Sequence, residues 1–85
     1  MKVTVYSRPK CTACDATKRL LTKLGILHTV VDVTEDPEAL AYVKSLGYLG
    51  APVVVAETSS DVRHWSEFRE SRIKELRLVA EVPAR

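Results

Sequence analysis

The chain has 85 residues, of which 46% are hydrophobic and 28% charged, and its formal net charge is +2. This length allows one small core, so we expect a single domain over residues 1–85. The weak and scattered charge argues against nucleic acid or an anionic membrane as a partner. No apolar run approaches the roughly 20 residues that span a bilayer. The amino terminus also lacks the apolar segment of a signal peptide, so we expect a cytoplasmic protein.

The first half of the chain alternates strand and helix patterns. Residues 2–6 are predicted as the first strand, and residues 7–10 as a loop broken by proline. A helix follows and ends at Gly25, which suits a left-handed cap. The β-branched residues of 28–33 then predict a second strand. The helix is expected to bury the apolar residues that recur at helical spacing: Ala13, Ala16, Leu20, Leu21 and Leu24.

The pair Asp36-Pro37 predicts the start of a second helix, because aspartate caps a helix and proline suits its first position. Gly47 is expected to end this helix. Its buried stripe is predicted to comprise Leu40, Val43 and Leu46.

The last third of the chain predicts two strands and a helix. The third strand covers residues 52–56, residues 58–61 form a turn, and 62–65 form a short fourth strand. A final helix is predicted from about 70 to 79, and the tail that contains Pro83 is expected to fray. The residues of this helix expected to face inward are Ile73, Leu76 and Val79 or Ala80.

The predicted order is β-α-β-α-β-β-α, an α/β fold. Two strands linked through a helix should be parallel with a right-handed crossover, whereas two strands joined by a tight turn should be antiparallel. We therefore expect a mixed four-stranded sheet with helices on both faces.

The two cysteines of the chain stand in the segment Cys11-Thr12-Ala13-Cys14, between the first strand and the first helix. A spacing of three residues on a helix puts both side chains on neighbouring surface positions. The two sulfurs can then meet, and the pair indicates a reversible, redox-active disulfide.

We expect Cys11 to be the more exposed, lower-pKa thiol and therefore the nucleophile. A helix amino terminus favours a thiolate, and Arg8 and Lys10 add positive charge nearby. Cys14 is expected to be the resolving thiol.

Other chemistry is less consistent with the residues. A structural zinc site needs four ligands, and His28 and His64 are not spaced as zinc ligands. Thiol–disulfide exchange needs no histidine base, so both histidines are interpreted as surface residues. Asp32 could accept a proton near the cysteines, but the pattern favours a residue that ends its strand. The tyrosines are interpreted as packing and surface residues: Tyr6, Tyr42 and Tyr48.

Pro52 allows two interpretations. Local sequence favours a trans proline that opens an edge strand. A cis proline would instead expose the backbone of Ala51 beside the cysteines, where an extended peptide could pair with it.

Four segments of the chain resemble NrdH-type redoxins, the glutaredoxin-like electron donors of ribonucleotide reductase. The last of the four segments, which lies just before the final helix, is the most specific, because other glutaredoxins have a pair of glycines at that place. The segments are Val3-Thr4-Val5-Tyr6 with Pro9-x-Cys11-x-x-Cys14, then residues 31–36 and 46–55, and lastly Trp65-Ser66-x-Phe68-Arg69.

The resemblance implies a thioredoxin fold, a cis bond at Pro52 and no bound cofactor. We also expect a monomer. It implies two partners, the large subunit of ribonucleotide reductase and thioredoxin reductase, so that NADPH is used only indirectly. Cys11 would attack a disulfide on the mobile tail of the reductase subunit, and Cys14 would complete the exchange.

The resemblance also implies a set of partner-contact residues around the cysteines. Trp65, Phe68 and Arg69 have an alternative role in packing and in holding the loop that faces the cysteines. The full set is Arg8, Lys10, Thr12, Ala13, Ala51, Pro52, Trp65, Ser66, Phe68 and Arg69.

The chain departs from the family pattern at three places. Glu67 replaces a glycine, which would cost about 1–2 kcal/mol if the backbone there has a positive φ. Glu70 replaces a proline, and Thr12-Ala13 differs from the commoner residues between the cysteines. The two glutamates add negative charge near the expected partner surface.

Two alternative functions remain open at this point. One is a glutathione-dependent glutaredoxin. This chain lacks the pair of glycines that normally approaches glutathione in such proteins, which argues against that function. The other is a redox-sensing regulator of the Spx type, which also opens with a strand and a Cys-x-x-Cys pair. Such regulators are longer and carry an Arg-Pro-Ile motif that this chain lacks.

Overall fold

The computed structural model describes residues 1–81, and the side chains of residues 1–78. This part of the chain forms four strands and three helices in the predicted order. They are β1 (Lys2–Ser7), α1 (Thr12–Lys23), β2 (Thr29–Asp32), α2 (Pro37–Ser45), β3 (Val53–Glu57), β4 (Val62–Ser66) and α3 (Glu70–Glu81).

The strands form one mixed sheet in the order β2-β1-β3-β4. As predicted, β1 and β2 are parallel and β3 and β4 antiparallel, and β1 also pairs antiparallel with β3. In this register Val53 lies opposite both Tyr6 and Ser66, while Ser7 lies opposite Asp32. The carboxyl ends of β1, β2 and β4 therefore meet the start of β3 at one end of the sheet, which is called the redox end below.

Alternating residues of β3 are buried on opposite faces of the sheet. Val54 and Ala56 belong to a cluster with residues of α1 and α3. Val53 and Val55 belong to a second cluster with residues of α2. The helices thus cover both faces, as predicted. Each such valine contributes on the order of 1.5–3 kcal/mol by leaving water.

The strand boundaries differ from the prediction by one or two residues. β1 includes Ser7, because its carbonyl oxygen accepts a hydrogen bond from the Val33 N–H at 2.9 Å. β3 begins at Val53 because Pro52 has no N–H for the ladder, and it continues to Glu57 opposite Val62. β4 likewise extends one residue beyond the prediction.

The second strand is shorter than predicted at both ends. The carboxylate of Asp32 accepts hydrogen bonds from the N–H of Thr34 at 2.8 Å and from its hydroxyl. This turns the chain, so Asp32 ends its strand as interpreted. His28 precedes the strand, and its Nδ1 lies 2.9 Å from the Ile26 carbonyl oxygen.

The buried stripe of α1 is rotated from the predicted one. The fully buried positions are Cys14, Thr17 and Leu21, whereas the predicted Ala13, Ala16, Leu20 and Leu24 are only partly buried. A threonine can be buried here because its hydroxyl donates to the Ala13 carbonyl oxygen at 2.9 Å.

The ends of the first two helices follow the predicted signals. The carboxylate of Asp36 accepts a hydrogen bond from the Ala39 N–H at 3.0 Å, which caps α2. Gly25 and Gly47 follow α1 and α2 with positive φ values of 74° and 95°. Of the residues predicted to line α2, Val43 is fully buried, and Leu40 and Leu46 pack partly buried against the same cluster.

α3 begins at the predicted residue and runs to Glu81, two residues past the predicted end. Ile73 and Leu76 are buried as expected. The side chains of Val79 and Ala80, and the tail with Pro83, lie outside the described part of the chain.

Candidate functional site

Cys11 and Cys14 form a disulfide at the amino terminus of α1, with their Cα atoms 5.2 Å apart. Cys11 is the N-cap residue, with φ −118° and ψ 103°. Its carbonyl oxygen accepts the first helical hydrogen bond, from the Asp15 N–H at 3.0 Å. Its Sγ accepts from the Cys14 N–H at 3.1 Å, so the sulfur takes the role that an oxygen has in most N-caps.

The two cysteines differ in exposure in the predicted direction. Cys11 is 5% exposed, whereas Cys14 is fully buried. Both residues are buried in the oxidised form, and the little exposure that the pair retains belongs to Cys11. The arrangement suits an attacking thiol and a protected resolving thiol.

Exposed basic side chains precede the disulfide. Arg8 and Lys10 are both exposed, and Lys10 has a positive φ of 55°, which turns the chain from β1 into α1. Thr12 is exposed and Ala13 half-buried in the first turn of α1. Together with the free N–H groups of the helix start, the two basic residues give this end of the molecule a positive potential.

The start of β3 lies at the same redox end as the disulfide. The peptide bond between Ala51 and Pro52 is cis, as the family resemblance implies. Pro52 is fully buried, whereas Ala51 is half-buried. The carbonyl oxygen of Pro52 accepts a hydrogen bond from the Glu67 N–H at 2.9 Å, which joins this segment to the residues after β4.

Trp65 has the packing role that was one of its two interpretations. It is only 3% exposed and belongs to the cluster beneath α1 and α3. Arg69 also holds the loop, since its Nε donates to the Ser66 carbonyl oxygen at 3.1 Å. Phe68 is 40% exposed and is the most accessible aromatic ring of this segment.

Two neighbouring clefts flank Ser66 at the redox end. The first, called the proline cleft, has a volume of about 380 Å³ and is lined by Gly47, Tyr48, Leu49, Gly50, Ala51, Ser66 and Glu67. The second, called the basic cleft, has a volume of about 450 Å³ and is lined by Tyr48, His64, Trp65, Ser66, Phe68, Arg69, Ser71 and Arg72.

Sequence reasoning missed two contacts of these clefts. The Tyr48 hydroxyl lies 2.8 Å from His64 Nδ1, although both residues were assigned surface or packing roles. The guanidinium of Arg72 lies 5.0 Å from the centre of the Trp65 ring. The second contact joins a residue of β4 to a residue of α3 and had no signal in the sequence. The first joins residues 16 apart in sequence and had none.

One ionisable group of the second cluster has a shifted pKa. Burial raises the pKa of the Tyr6 hydroxyl, and Tyr42, Glu57 and Asp36 raise it further. Tyr6 packs against Tyr42 at a ring distance of 5.8 Å, on the side of the sheet that α2 covers.

No group of three or more His, Cys, Asp or Glu side chains within residues 1–78 is arranged to hold a metal ion. Among the helices of residues 1–81, none combines the length and apolar character needed to cross a membrane.

A mixed four-stranded sheet with a cysteine pair at the start of its first helix defines a thiol–disulfide oxidoreductase of the thioredoxin-fold superfamily. The family model Glutaredoxin matches residues 3–59. The chain therefore belongs to the glutaredoxin family.

Within this family, the chain is an NrdH-type glutaredoxin-like redox protein. It is 36% identical over 76 residues to the Glutaredoxin-like protein NrdH of Escherichia coli K12, covering 89% of each chain. It is 46% identical over 61 residues to the Gene 56 protein of Mycobacterium phage L5, covering 71% of this chain and 59% of that protein. The solved structure of the E. coli NrdH-redoxin superposes with a TM-score of 0.81 at 34% identity, over 89% of this chain and 95% of that chain.

Proposed function

We propose that this protein is a dithiol electron carrier that reduces the disulfide of ribonucleotide reductase and is itself reduced by thioredoxin reductase. The observation that carries the proposal is the Cys11–Cys14 disulfide at the start of α1, in which Cys11 retains a slight exposure and Cys14 has none. The NrdH relatives support the choice of partners. The E. coli structure, described as that of a glutaredoxin-like protein with a thioredoxin-like activity profile, supports the reductant.

In the reducing direction, the Cys11 thiolate attacks one sulfur of the partner's disulfide. A mixed disulfide forms, and the partner's other sulfur leaves as a thiolate that takes up a proton. The Cys14 thiolate then attacks Cys11 Sγ, which restores the Cys11–Cys14 disulfide and releases the partner's second sulfur as a thiol. Two electrons pass to the partner, and thioredoxin reductase reverses the same steps with electrons from NADPH.

The fold favours both steps. The Cys14 N–H and the start of α1 stabilise negative charge on Cys11 Sγ. Cys14 is within bonding reach of Cys11 on the same helical turn, so resolution needs no change of the helix. The protein is proposed to need no bound cofactor, because the cysteine pair itself holds the electrons.

The proposed docking surface surrounds the cysteines at the redox end. An extended segment of the partner would pair with the backbone of Ala51, across from the disulfide. The exposed side chains expected to contact it before and within α1 are Arg8, Lys10, Thr12 and, in part, Ala13. Those beyond β4 are Ser66, Phe68 and Arg69, with Pro52 and Trp65 supporting them from below.

Two further expectations belong to the same proposal. We place the protein in the cytoplasm, where a reducing environment keeps such cysteine pairs in exchange. We expect it to act as a monomer, because each partner must reach the same small surface around Cys11.

The test is NADPH oxidation with thioredoxin reductase and an oxidised ribonucleotide reductase, compared between the wild type, Cys11→Ser and Cys14→Ser. Cys11→Ser should abolish turnover, and Cys14→Ser should accumulate a mixed disulfide with the partner. A parallel assay replaces thioredoxin reductase with glutathione and glutathione reductase. Turnover without Cys11, or faster turnover with glutathione, would reject the proposal.

A further inference from the structure

The basic cleft presents two arginines that have no carboxylate partner among the side chains of residues 1–78. Lys18, Arg63 and Lys74 form ion pairs in this part of the chain, whereas Arg69 and Arg72 form none there. Arg69 uses its Nε for the Ser66 carbonyl oxygen, which leaves its terminal N–H₂ groups as donors. Arg72 lies over the Trp65 ring, a position that leaves the edge of its guanidinium available.

The same cleft contains a buried donor without an acceptor. Trp65 lines the basic cleft and is 3% exposed. Its Nε1 has no hydrogen-bond partner within the described side chains. Leaving such a group unpaired is unfavourable, so the packing around the Trp65 ring should respond to an acceptor bound beside it.

The remaining lining of the cleft is also suited to an anion. Ser66, Ser71 and His64 supply polar groups, and no Asp or Glu is among the lining residues. Glu67 lines the adjoining proline cleft instead. Glu70 follows Arg69 in sequence but pairs with Lys74 of α3, so the lining itself combines donors and positive charge.

The position of the cleft indicates where the anion comes from. The two clefts share Tyr48 and Ser66, and the proline cleft includes Ala51, at which the partner's segment is proposed to pair. An extended chain that passes Ala51 would therefore continue into the basic cleft within a few residues.

We propose that the basic cleft binds a carboxylate carried by the same partner segment that brings its disulfide to Cys11. This proposal rests on the proposed function, which supplies the docked segment. The carboxylate would pair with Arg69 and Arg72 beside the Trp65 ring. It would add affinity and fix the direction in which the segment lies.

The test measures binding to the oxidised protein, without any reductase, so that no electron transfer is involved. The probe is a short peptide, blocked at both ends, with two central glutamates. The matched probe carries glutamines in their place, and inorganic phosphate serves as a free anion. The chain has a single tryptophan, so its fluorescence and its indole N–H resonance both report on the cleft.

The glutamate peptide should bind at least about tenfold more tightly than the glutamine peptide, since a charge-assisted contact is worth about 1.5–3 kcal/mol. Binding should shift the indole resonance and weaken with added salt. Arg72→Gln should weaken binding at least about fivefold, and Arg72→Lys should weaken it less. Arg19→Gln removes an equal charge from an exposed position of α1 outside the cleft, and should leave binding unchanged.

Equal binding of the two peptides, or an unchanged affinity in Arg72→Gln, would overturn the proposal. Phosphate binding as tight as that of the glutamate peptide would overturn the assignment to a polypeptide. Arg72→Lys, which keeps a cation over the indole, distinguishes loss of binding from loss of the fold. Electron transfer by Cys11 is measured in the separate NADPH oxidation assay. Failure of that assay would refute the proposed function, whereas the peptide titration tests only binding to the basic cleft.

Discussion

Replacing Glu67 with glycine should stabilise the protein. Glu67 has a φ of 67°, in the left-handed region that a Cβ atom disfavours. Its side chain is exposed, and within residues 1–78 it takes part in no recorded hydrogen bond or ion pair. Its N–H donates to Pro52, a bond that glycine can also make.

The magnitude follows from two opposing terms. The left-handed conformation costs about 1–2 kcal/mol for a residue with a side chain, and glycine removes this cost. Glycine also gives the unfolded chain more freedom, which costs about 0.5–1 kcal/mol. The net gain in the free energy of unfolding should lie between about 0 and 1.5 kcal/mol. Its midpoint, about 0.75 kcal/mol, is equivalent to a rise in Tm of about 3–6 °C for a domain of this size.

Urea denaturation of the oxidised protein measures this change, with Glu67→Ala as the matched control. The alanine variant removes the same charge but keeps the Cβ atom, so its stability should stay within about 0.5 kcal/mol of the wild type. Gly47→Ala, at a φ of 95°, should lose a similar amount of stability, because the same two terms act in reverse. An alanine variant as stable as the glycine variant, or a destabilised glycine variant, would refute the explanation by backbone strain.

Three further predictions concern other parts of the fold. Because the pKa of Tyr6 is raised in the folded state, the unfolded phenol ionises first. Stability should therefore fall as pH rises above about 10, and the difference in unfolding free energy between wild type and Tyr6→Phe should be constant below that pH. Asp36→Ala should cost about 1 kcal/mol in chemical denaturation through loss of the α2 cap, whereas Asp36→Ser should cost much less. Trp65→Ala should lower stability by about 3–5 kcal/mol because the ring is buried, while Trp65→Phe keeps most of the packing.

Three results would contradict these predictions. The first is a difference in unfolding free energy between the wild type and Tyr6→Phe that does not change with pH above about 10. The second is an equal loss of stability in Asp36→Ala and Asp36→Ser. The third is a Trp65→Ala protein that is as stable as the wild type. The last result would remove the packing role of Trp65 and leave partner contact as its remaining interpretation. The rate of disulfide exchange with a partner is best compared between the wild type and Trp65→Phe. This variant removes the indole N–H but keeps most of the buried packing of the ring.

The strength of the sequence signals explains which parts of this fold were predictable. Asp36-Pro37 and Gly25 act through their own backbone and immediate neighbours, so their helix ends were predicted correctly. Cys11 and Cys14 follow the same logic, since three-residue spacing at a helix start fixes their geometry. Pro52 differs, because local sequence favoured a trans bond and only the family resemblance implied the observed cis bond.

The features that escaped prediction depend on contacts between distant residues. Thr17 was not expected in the core, because its burial requires the hydrogen bond to the Ala13 carbonyl oxygen. The pairing of Tyr48 with His64 exists only because the sheet places β4 beside the loop after α2. The unpaired Nε1 of Trp65 could not be inferred either, since it depends on what surrounds the ring on every side.

The segment that carries Ala51 is held to β4 and its following residue at two separate points. Upstream, the Tyr48 hydroxyl bonds His64 Nδ1, and downstream the Pro52 carbonyl oxygen accepts from the Glu67 N–H. Because of these two contacts, a displacement of the edge strand β4 would also move the segment that carries Ala51 and Pro52. Substitutions along β4 should accordingly alter how fast partners exchange electrons even where none of the altered atoms touches them.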